Sequence, residues 1–214
     1  MRLKVCEIFV SLQGEGVHQG LPTFFVRLAG CNLACQWCDS RYAREEPGFD
    51  LDIEDIFHRW QAEGRLPWVQ ITGGEPLLQE GVYPLMKRFL REGVTVLLET
   101  NGSILLDQVP QGVVKIMDLK TPSSGMSRFM RWENLAYLSS KDQVKFVIAD
   151  REDYLWAKAA IERHYLPVYT QVLLSPVYSE LAPQKLAQWI LEDRLPVRLQ
   201  IQLHKFLWGD RRGV

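Results

Sequence analysis

Short apolar runs of strand type alternate with amphipathic segments of helix type along most of the chain. The strand-type runs are rich in β-branched and aromatic residues, whereas the helix-type segments repeat apolar residues every three or four positions. The predicted strands span residues 3–10, 23–28, 68–72, 94–99, 113–119, 143–148, 170–174 and 197–203, and the predicted helices span 51–63, 82–92, 132–138, 151–164 and 183–191. We expect Asp50 or Asp52 to begin the first of these helices and Gly64 to end it.

This alternation predicts the fold class. Repeated strand–helix–strand units produce a parallel sheet with right-handed crossovers. About seven strands follow from Thr23 onward, which leaves too few residues for eight full units, so we predict an α/β fold built as an incomplete (β/α) barrel. No repeat, low-complexity tract or long linker interrupts the pattern, and we expect residues 1–214 to form a single domain.

The composition excludes some classes of partner. With 25 basic and 26 acidic residues the formal net charge is −1, so no whole-protein field favours nucleic acid or an anionic membrane. The amino terminus lacks the apolar run of a signal peptide, and no later segment approaches about 18 apolar residues without a charge. We therefore expect a cytoplasmic protein with neither a nucleic-acid nor a membrane partner.

Four cysteines in a reducing compartment are more typical of metal or catalytic ligands than of disulfides. Cys31, Cys35 and Cys38 lie within eight residues, whereas Cys6 stands alone in an apolar stretch and is expected in the core. Thiolates select zinc or iron and sulfur, but a zinc site or a fully protein-ligated cluster normally takes four protein ligands. The loop therefore supplies one protein ligand fewer than such a zinc site or cluster normally has. An iron–sulfur cluster, a zinc knuckle with a distant histidine, and three buried free thiols are the alternatives.

Glycine-containing loops follow two of the predicted strands. Residues 72–76, Thr-Gly-Gly-Glu-Pro, come directly after the strand at 68–72. The glycines expose backbone groups to the amino group of a ligand. We expect the Glu75 carboxylate to accept a hydrogen bond from that amino group. Gly14 and Gly16 follow the first strand, where a binding loop and a plain turn between strands are equally compatible with the sequence.

Arg27 is a charged residue inside an otherwise apolar predicted strand that leads into the cysteine loop. Its guanidinium could extend along the apolar surface to reach solvent at an edge. It could instead face a pocket and bind an anion with two hydrogen bonds, which the following loop favours.

The three-cysteine loop resembles the signature of the radical S-adenosylmethionine (SAM) superfamily, as do Trp37 just before the third cysteine and the Thr-Gly-Gly-Glu-Pro segment some 35 residues later. This resemblance implies a [4Fe–4S] cluster with three cysteine ligands, whose fourth iron chelates the amino and carboxylate groups of SAM.

A larger set of motifs resembles one family in that superfamily, the 7-carboxy-7-deazaguanine synthases. The motifs are Ser-Leu-Gln-Gly-Glu-Gly (11–16), Phe-Val-Arg-Leu (25–28), Cys-Asp-Ser (38–40), Thr-Gly-Gly-Glu-Pro (72–76), Glu-Thr-Asn-Gly (99–102) and Gln-Leu-His-Lys-Phe-Leu-Trp (202–208). The resemblance covers residues 7–208, although 150–195 is generic. It implies a lyase of queuosine and deazapurine biosynthesis that contracts the ring of 6-carboxy-5,6,7,8-tetrahydropterin, releases ammonia and regenerates SAM after the 5′-deoxyadenosyl radical has taken hydrogen from C6.

The resemblance also implies roles for individual positions. The cluster ligands are Cys31, Cys35 and Cys38. The SAM-binding positions are Trp37, Cys38, Asp39, Gly74, Asp118, Leu119 and Lys120, although many members have Ser-Pro-Lys at 118–120. The substrate-binding positions are Leu12, Gln13, Gly14, Arg27 and Thr72, and Glu15 lies close enough in sequence to join them. Ser40 falls at the Mg²⁺ position, where its hydroxyl is a suitable hard donor, although a serine there could also simply begin a helix.

The resemblance further implies a homodimer and a reducing flavodoxin or similar electron donor. Phe206 and Trp208 could serve a dimer interface, and His204 could equally be a structural histidine. The residues after 208 extend past the matched segment, so a contact between them and the substrate is not implied. Two other functions are compatible with part of the sequence: an activase that installs a glycyl radical on a partner enzyme, and a zinc-binding module. Neither explains both the Arg27 strand and the glycine loops.

Overall fold

The computed structural model covers residues 1–214 and contains one nine-stranded sheet. The strands are β1 (Arg2–Leu12), β2 (Pro22–Leu28), β3 (Phe49–Asp52), β4 (Trp68–Gly73), β5 (Thr95–Thr100), β6 (Val114–Leu119), β7 (Gln143–Ile148), β8 (Gln171–Pro176) and β9 (Arg198–Leu199). Their order in the sheet is β3-β1-β2-β4-β5-β6-β7-β8-β9. The seven strands β2 and β4 to β9 run parallel, while β1 runs antiparallel to both β2 and β3.

The helices are α1 (Arg41–Glu45), α2 (Ile53–Ala62), α3 (Val82–Leu90), α4 (Arg151–Arg163), α5 (Pro183–Glu192) and α6 (Leu203–Trp208). Short 3₁₀ turns at Pro76–Leu78, Pro122–Ser124, Ser127–Phe129, Trp132–Tyr137 and Leu166–Val168 complete the connections. None of the helices combines the length and the apolar character that a membrane crossing requires. The seven parallel strands and the unclosed sheet confirm the predicted incomplete (β/α) barrel.

The sheet bends enough to bring its two sides together at one point. The loop after β1 meets the segment after β9, where Gly16 N donates to Gln200 Oε1 at 2.6 Å and Gln19 Nε2 donates to the carbonyl of Ile201 at 2.8 Å. No strand pairing joins these two sides. The barrel therefore stays open, and side chains rather than a strand ladder bridge the gap.

The two faces of the sheet differ because successive side chains in a strand point in opposite directions. One face packs against the helices and supplies the main apolar core, in which Val26, Ile71, Leu98 and Phe146 are fully buried. The opposite face begins with a small apolar cluster of Leu97, Val114 and Ile116, against which Trp68 packs. Further along the strands this inner face becomes polar, with Arg27, Gln70, Thr72, Glu99, Asp118 and Lys145 at alternating positions.

Three predicted elements were wrong in part, and contacts with distant parts of the chain decide two of them. Residues 51–52 were expected to be helical but belong to β3, which pairs with β1. Helix α2 consequently begins at Ile53, and Asp52 forms its capping box with Asp55. The strand predicted for 197–203 keeps only Arg198–Leu199, and Leu203 begins α6 instead, with its N–H donating to Gly14 O at 3.0 Å. The helix predicted for 132–138 is a 3₁₀ segment.

Candidate active site at the carboxyl ends of the parallel strands

A cavity of about 800 Å³ opens at the carboxyl ends of the parallel strands. Its walls include these predicted site residues: Leu12, Gln13, Gly14, Glu15, Arg27, Cys31, Cys35, Trp37, Cys38, Asp39, Ser40, Thr72, Gly74, Asp118 and Lys120. Leu119 is the one predicted residue whose side chain does not line the cavity, since it is buried in the main core. The structure thus brings together positions that are as much as 108 residues apart in sequence, from Leu12 to Lys120.

The three cysteines of the loop after β2 are free, half-buried and on the cavity wall. Tetrahedral ligands of one zinc ion would lie ~4 Å apart, given Zn–S bonds of about 2.3 Å. The three thiols do not form such a compact group with one another or with a histidine or carboxylate. An iron–sulfur cluster does not require them to meet at one metal, because each thiolate binds a different iron.

Hydrogen bonds to neighbouring loops hold the cysteine loop in place. Gly30 N donates to Ala43 O at 2.7 Å before the loop begins. Inside the loop, Trp37 Nε1 donates to Ser123 Oγ at 2.9 Å, and Ser123 is in turn bound by the buried carboxylate of Asp153. Protein contacts therefore hold the loop at Gly30 and at Trp37, and the second contact reaches a residue 86 positions away in sequence.

Burial raises the pKa of the Cys31 thiol, and it raises that of Cys35 to about 11, because a thiolate is poorly solvated there. The nearby Lys120 ammonium opposes this effect at both thiols. Metal binding requires thiolates, so it must displace the protons that burial favours. Lys120 is the side chain of this site whose charge assists that step.

Gly74 lets the loop after β4 touch the cysteine loop. A Cβ built on Gly74 would lie 2.2 Å from Gly30 O and 2.6 Å from Cys31 Cβ. The N–H of the next residue, Glu75, donates to Gly30 O at 2.9 Å. Only glycine allows this approach, so its backbone groups lie beside the ligands of the cluster.

Glu75 does not serve the ligand-facing role that its position in the sequence suggested. Its side chain is fully buried, and it accepts hydrogen bonds from Leu77 N (3.0 Å), Asn101 N (2.7 Å) and Thr100 Oγ1 (2.9 Å). Burial raises the pKa of Glu75 to about 7, although these hydrogen bonds act to lower it. The carboxylate therefore ties the loop after β4 to the end of β5, while the cavity is left to the backbone of Gly74.

Arg27 faces the cavity, in agreement with the second interpretation of its position in the sequence, and its side chain is 18% exposed. Nε donates to Glu7 Oε1 at 2.7 Å, and Glu7 also accepts from the hydroxyl of Tyr42 at 2.9 Å. The rings of Phe9 and Tyr42 lie within 6 Å of the guanidinium carbon. These contacts engage Nε and fix the plane of the group, so its terminal nitrogens are oriented for a planar anion.

Asp118 and Lys120 form a pair at the end of β6. Lys120 Nζ lies 2.9 Å from Asp118 Oδ2 and 5.2 Å from the Trp37 ring. Asp118 lines the cavity, and its Oδ1 is buried without any hydrogen-bond partner. A buried acceptor without a partner is costly to the free protein, so a donor from a bound ligand would offset that cost.

Ser40 and His204 both line the cavity. Ser40 precedes α1, but its side chain makes no capping hydrogen bond, and its Oγ lies 3.9 Å from Cys38 Sγ. His204, on α6, packs so closely on the loop after β1 that a Cβ on Gly14 would lie 2.1 Å from its Nδ1. The ligand atoms of Glu15, Asp39 and His204 lie within 4.8 Å of one another. Glu15 is already engaged by a lysine and two amides, so this group is a polar wall rather than a metal site.

Residues that sequence reasoning missed form the inner end of the cavity. Glu99 accepts from Thr72 Oγ1 at 3.1 Å and from Gln70 Nε2 at 3.3 Å, and Lys145 donates to it at 2.7 Å. Gln13 Nε2 donates to Gln70 Oε1 at 3.1 Å and extends the same network. Glu99 and Lys145 are charged residues in otherwise apolar strands, which is the signal that singled out Arg27 and could have identified them too.

These observations define the class of the protein as a radical SAM enzyme. Residues 26–118 match the model of the Radical SAM superfamily. A similar solved structure is that of QueE from Escherichia coli, with a TM-score of 0.77 at 20% identity over 94% of each chain. Streptococcus suis SuiB, bound to its precursor peptide SuiA, has a TM-score of 0.57 over 80% of this chain and 46% of the other.

Full-length relatives place the chain in one family of that class. The 7-carboxy-7-deazaguanine synthase of Chlorobaculum tepidum is 44% identical over 99% of this chain and 97% of its own length. The enzyme of the same name from Koribacter versatilis is 44% identical over 99% of this chain and 100% of its own length. The chain belongs to the 7-carboxy-7-deazaguanine synthase family, and its family cofactors are a [4Fe–4S] cluster and SAM. The comparisons give no support to the activase or to the zinc module.

Proposed function

We propose that this protein converts 6-carboxy-5,6,7,8-tetrahydropterin into 7-carboxy-7-deazaguanine with loss of ammonia, as a step of queuosine and deazapurine biosynthesis. One observation carries the proposal. A single cavity holds three thiols suited to a cluster, an arginine suited to a carboxylate, and a polar inner end suited to a heterocycle with several donors and acceptors. The names of the full-length relatives agree with it.

The chain's own residues divide between the two ligands. Cys31, Cys35 and Cys38 would hold the cluster, which supplies the electron that cleaves SAM when both are bound. The SAM site would consist of Trp37, Cys38, Asp39, the Gly74 backbone and residues 118–120. Trp37 and Lys120 lie next to each other on this wall, and the partnerless oxygen of Asp118 would accept a hydrogen bond from the ligand.

The substrate site would lie toward β1, β2 and β4. Arg27 would bind the carboxylate through its terminal nitrogens, since Glu7 already binds Nε. Thr72 and the loop 12–15, Leu-Gln-Gly-Glu, would meet the pterin edge, where adjacent N–H donors and acceptors need fixed partners. Because the arginine and this polar edge are held by separate strands, they would fix the substrate in one orientation.

We assign Mg²⁺ to Ser40 in the same proposal. Ser40 Oγ is on the cavity wall, and the serine makes no capping bond that would compete for it. Mg²⁺ keeps several waters and needs few protein ligands, so one hydroxyl together with the substrate carboxylate is a sufficient set. Turnover that falls when Mg²⁺ is removed, and a Ser40→Ala variant that needs more Mg²⁺ for half-maximal activity, would support this assignment.

A homodimer, a flavodoxin-like electron donor and a cytoplasmic location belong to the same proposal, with residues 1–214 as one domain. The apolar side chains of Phe206, Val168 and Tyr165 are more than 70% exposed, which leaves apolar surface for a second copy. Light scattering of the purified protein should give twice the mass of the chain.

The decisive experiment is anaerobic reconstitution with iron and sulfide, followed by mass spectrometry of a reaction with SAM, dithionite, Mg²⁺ and the carboxypterin. We expect 7-carboxy-7-deazaguanine and one ammonia per product, without any partner protein. A brown, active protein excludes zinc as the native metal. A chain that binds its cluster and SAM but leaves the carboxypterin unchanged would contradict the proposed function.

A further inference from the structure

Lys145 is a buried lysine that no motif identified, and it lies beneath the inner end of the cavity. Its side chain is 5% exposed, and Nζ lies 2.7 Å from Glu15 Oε2, 2.7 Å from Glu99 Oε1 and 3.4 Å from Asp118 Oδ2. The three carboxylates come from the loop after β1, the end of β5 and the end of β6. One cation on β7 therefore links three separate segments of the site.

The carboxylates are more exposed than the lysine that binds them. The side chain of Glu15 is 20% exposed and that of Glu99 is 28% exposed, and both line the cavity. All three residues line the cavity, and the two carboxylates are more accessible from it than the lysine that binds them. Other side chains fix the carboxylates in place: Gln200 and Gln202 donate to Glu15, and Gln70 and Thr72 donate to Glu99.

We propose that Lys145 is a positioning residue for the reaction, which holds the carboxylates of Glu15 and Glu99 as acceptors aimed at the N–H groups of the heterocyclic substrate. This inference rests on the proposed function, because it takes a pterin as the ligand. The 2-amino-4-oxopyrimidine edge of a pterin carries adjacent N–H donors, and an ionised carboxylate is an acceptor only. If clustered carboxylates lose their shared cation, one of them takes up a proton and becomes a donor, which no longer matches that edge.

The charges around Glu99 predict how the loss of Lys145 would change the pH dependence of substrate capture. Burial opposes its charge, but Lys145 and then Arg27 hold the pKa of Glu99 at about 2, so it stays ionised across the working range. Glu15 and Asp118 share the same lysine and would add negative charge if it were lost. In a Lys145→Met variant the pKa of Glu99 therefore rises. Substrate capture should then weaken as pH falls, along an acid limb that the wild-type profile lacks.

The test compares reconstituted wild-type enzyme with Lys145→Met, Lys145→Arg and Lys115→Met. Lys115 is a matched control, because it is also a buried lysine of this sheet, paired with Asp142 at 3.2 Å, but it does not line the cavity. We expect Lys145→Met to raise the KM for the carboxypterin about 10- to 100-fold. Iron content and SAM cleavage without substrate should stay at wild-type levels. Lys145→Arg should recover most of the loss, and Lys115→Met should leave KM unchanged.

A double variant, Lys145→Met with Glu99→Gln, distinguishes a positioning role of Lys145 from a role in balancing charge. It also replaces Lys145→Met in the test if that variant does not fold. It removes one charge of each sign, so it should unfold near the temperature of the wild type while its KM stays high. A wild-type KM in the double variant or in Lys145→Met would overturn the role of Lys145. A wild-type enzyme that makes no product from the carboxypterin would instead contradict the proposed function.

Discussion

Two buried lysines on neighbouring strands of one sheet show how differently its two ends are built. At the amino ends, the Asp142 carboxylate accepts from the N–H of Lys115 (2.7 Å), from its Nζ (3.2 Å) and from the N–H and hydroxyl of Ser139 (2.8 and 2.9 Å). Asp142 is fully buried and all its partners are protein groups. At the carboxyl ends, Lys145 holds carboxylates that still face a cavity, and Asp118 Oδ1 has no partner.

This contrast indicates which buried charges serve folding and which serve a ligand. A buried ion pair contributes little net stability over apolar residues, but breaking one is costly. The ion pair of Lys115 and Asp142 is complete without a ligand, so breaking it should lower the free energy of unfolding. The carboxylates around Lys145 still have acceptor positions for a ligand, so substitutions near them should change substrate binding and turnover. Each prediction below tests this division.

The largest expected effect lies at the carboxyl ends and concerns Cys35. Replacing it with alanine leaves the cluster with two thiolates, so Cys35→Ala should lose SAM cleavage completely, while the fold is kept. Iron content, visible absorption and 5′-deoxyadenosine formation measure the loss, and circular dichroism measures the fold. Cys6→Ala is the control, because Cys6 is buried beside Ala29 and Ala43 and does not line the cavity. Substantial SAM cleavage by Cys35→Ala would contradict the assignment of the ligands.

The next effect lies at the amino ends. Asp142→Ala leaves Lys115 buried without a counter-charge, and it should lower the free energy of unfolding by about 3–5 kcal/mol. The KM of the protein that remains folded should not change, since this pair does not line the cavity. Urea unfolding measures the first quantity and steady-state kinetics the second.

Asp50→Ala is the matched control for that variant. Asp50 pairs with Lys4 at 2.9 Å, but both side chains are about half exposed, so the loss should be at most about 1 kcal/mol. If Asp142→Ala instead changed KM and left stability intact, the division between the two ends would fail.

A smaller effect returns to the carboxyl ends. Arg27→Ala should raise the KM for the carboxypterin about 30-fold, because a charge-assisted pair of hydrogen bonds to its carboxylate is lost. SAM cleavage without substrate should stay near the wild-type rate. Arg27→Lys keeps the charge but not the fork of donors, and it should recover only part of the affinity. Equal affinity for the substrate and for its analogue without the carboxylate, in the wild type, would remove Arg27 from that role.

The sequence predicts those elements of the two ends whose signal lies within a few neighbouring residues. Strand β7 was predicted with its observed bounds, because Gln143–Ile148 is a short apolar run between turns. The cysteine loop was singled out by its spacing, and Gly74 by the Thr-Gly-Gly-Glu-Pro segment and its resemblance to the superfamily. Strand β3 was missed, because its four residues form a strand only by pairing with β1, 44 or more positions away.

Long-range contacts explain what was missed in the site as well. Glu15 and Lys145 are 130 positions apart, and Glu99 and Lys145 are 46 apart, so no motif could contain them together. Glu75 was expected to face the ligand, but two of the three groups that bind its carboxylate, Thr100 Oγ1 and Asn101 N, lie at the end of the next strand. Sequence patterns thus predicted the strands that carry the site, while charge partners across strands required the structure.

The smallest expected effect concerns Arg212, which lies in the segment 210–214 at the mouth of the cavity. Arg212 pairs with Glu46 at 2.7 Å and with Glu7 at 3.0 Å, and it stacks on the Tyr42 ring at 4.0 Å. Its side chain is 40% exposed, and water screens such pairs so that they contribute no more than about 1 kcal/mol. Glu7 would keep Arg27 as a partner after Arg212→Ala. We therefore expect the KM for the carboxypterin to rise less than about 3-fold, and less at high salt than at low salt, in steady-state assays. A rise of more than tenfold would mean that residues 210–214 belong with the buried acceptors of the carboxyl ends, because a loss of that size needs a group shielded from solvent.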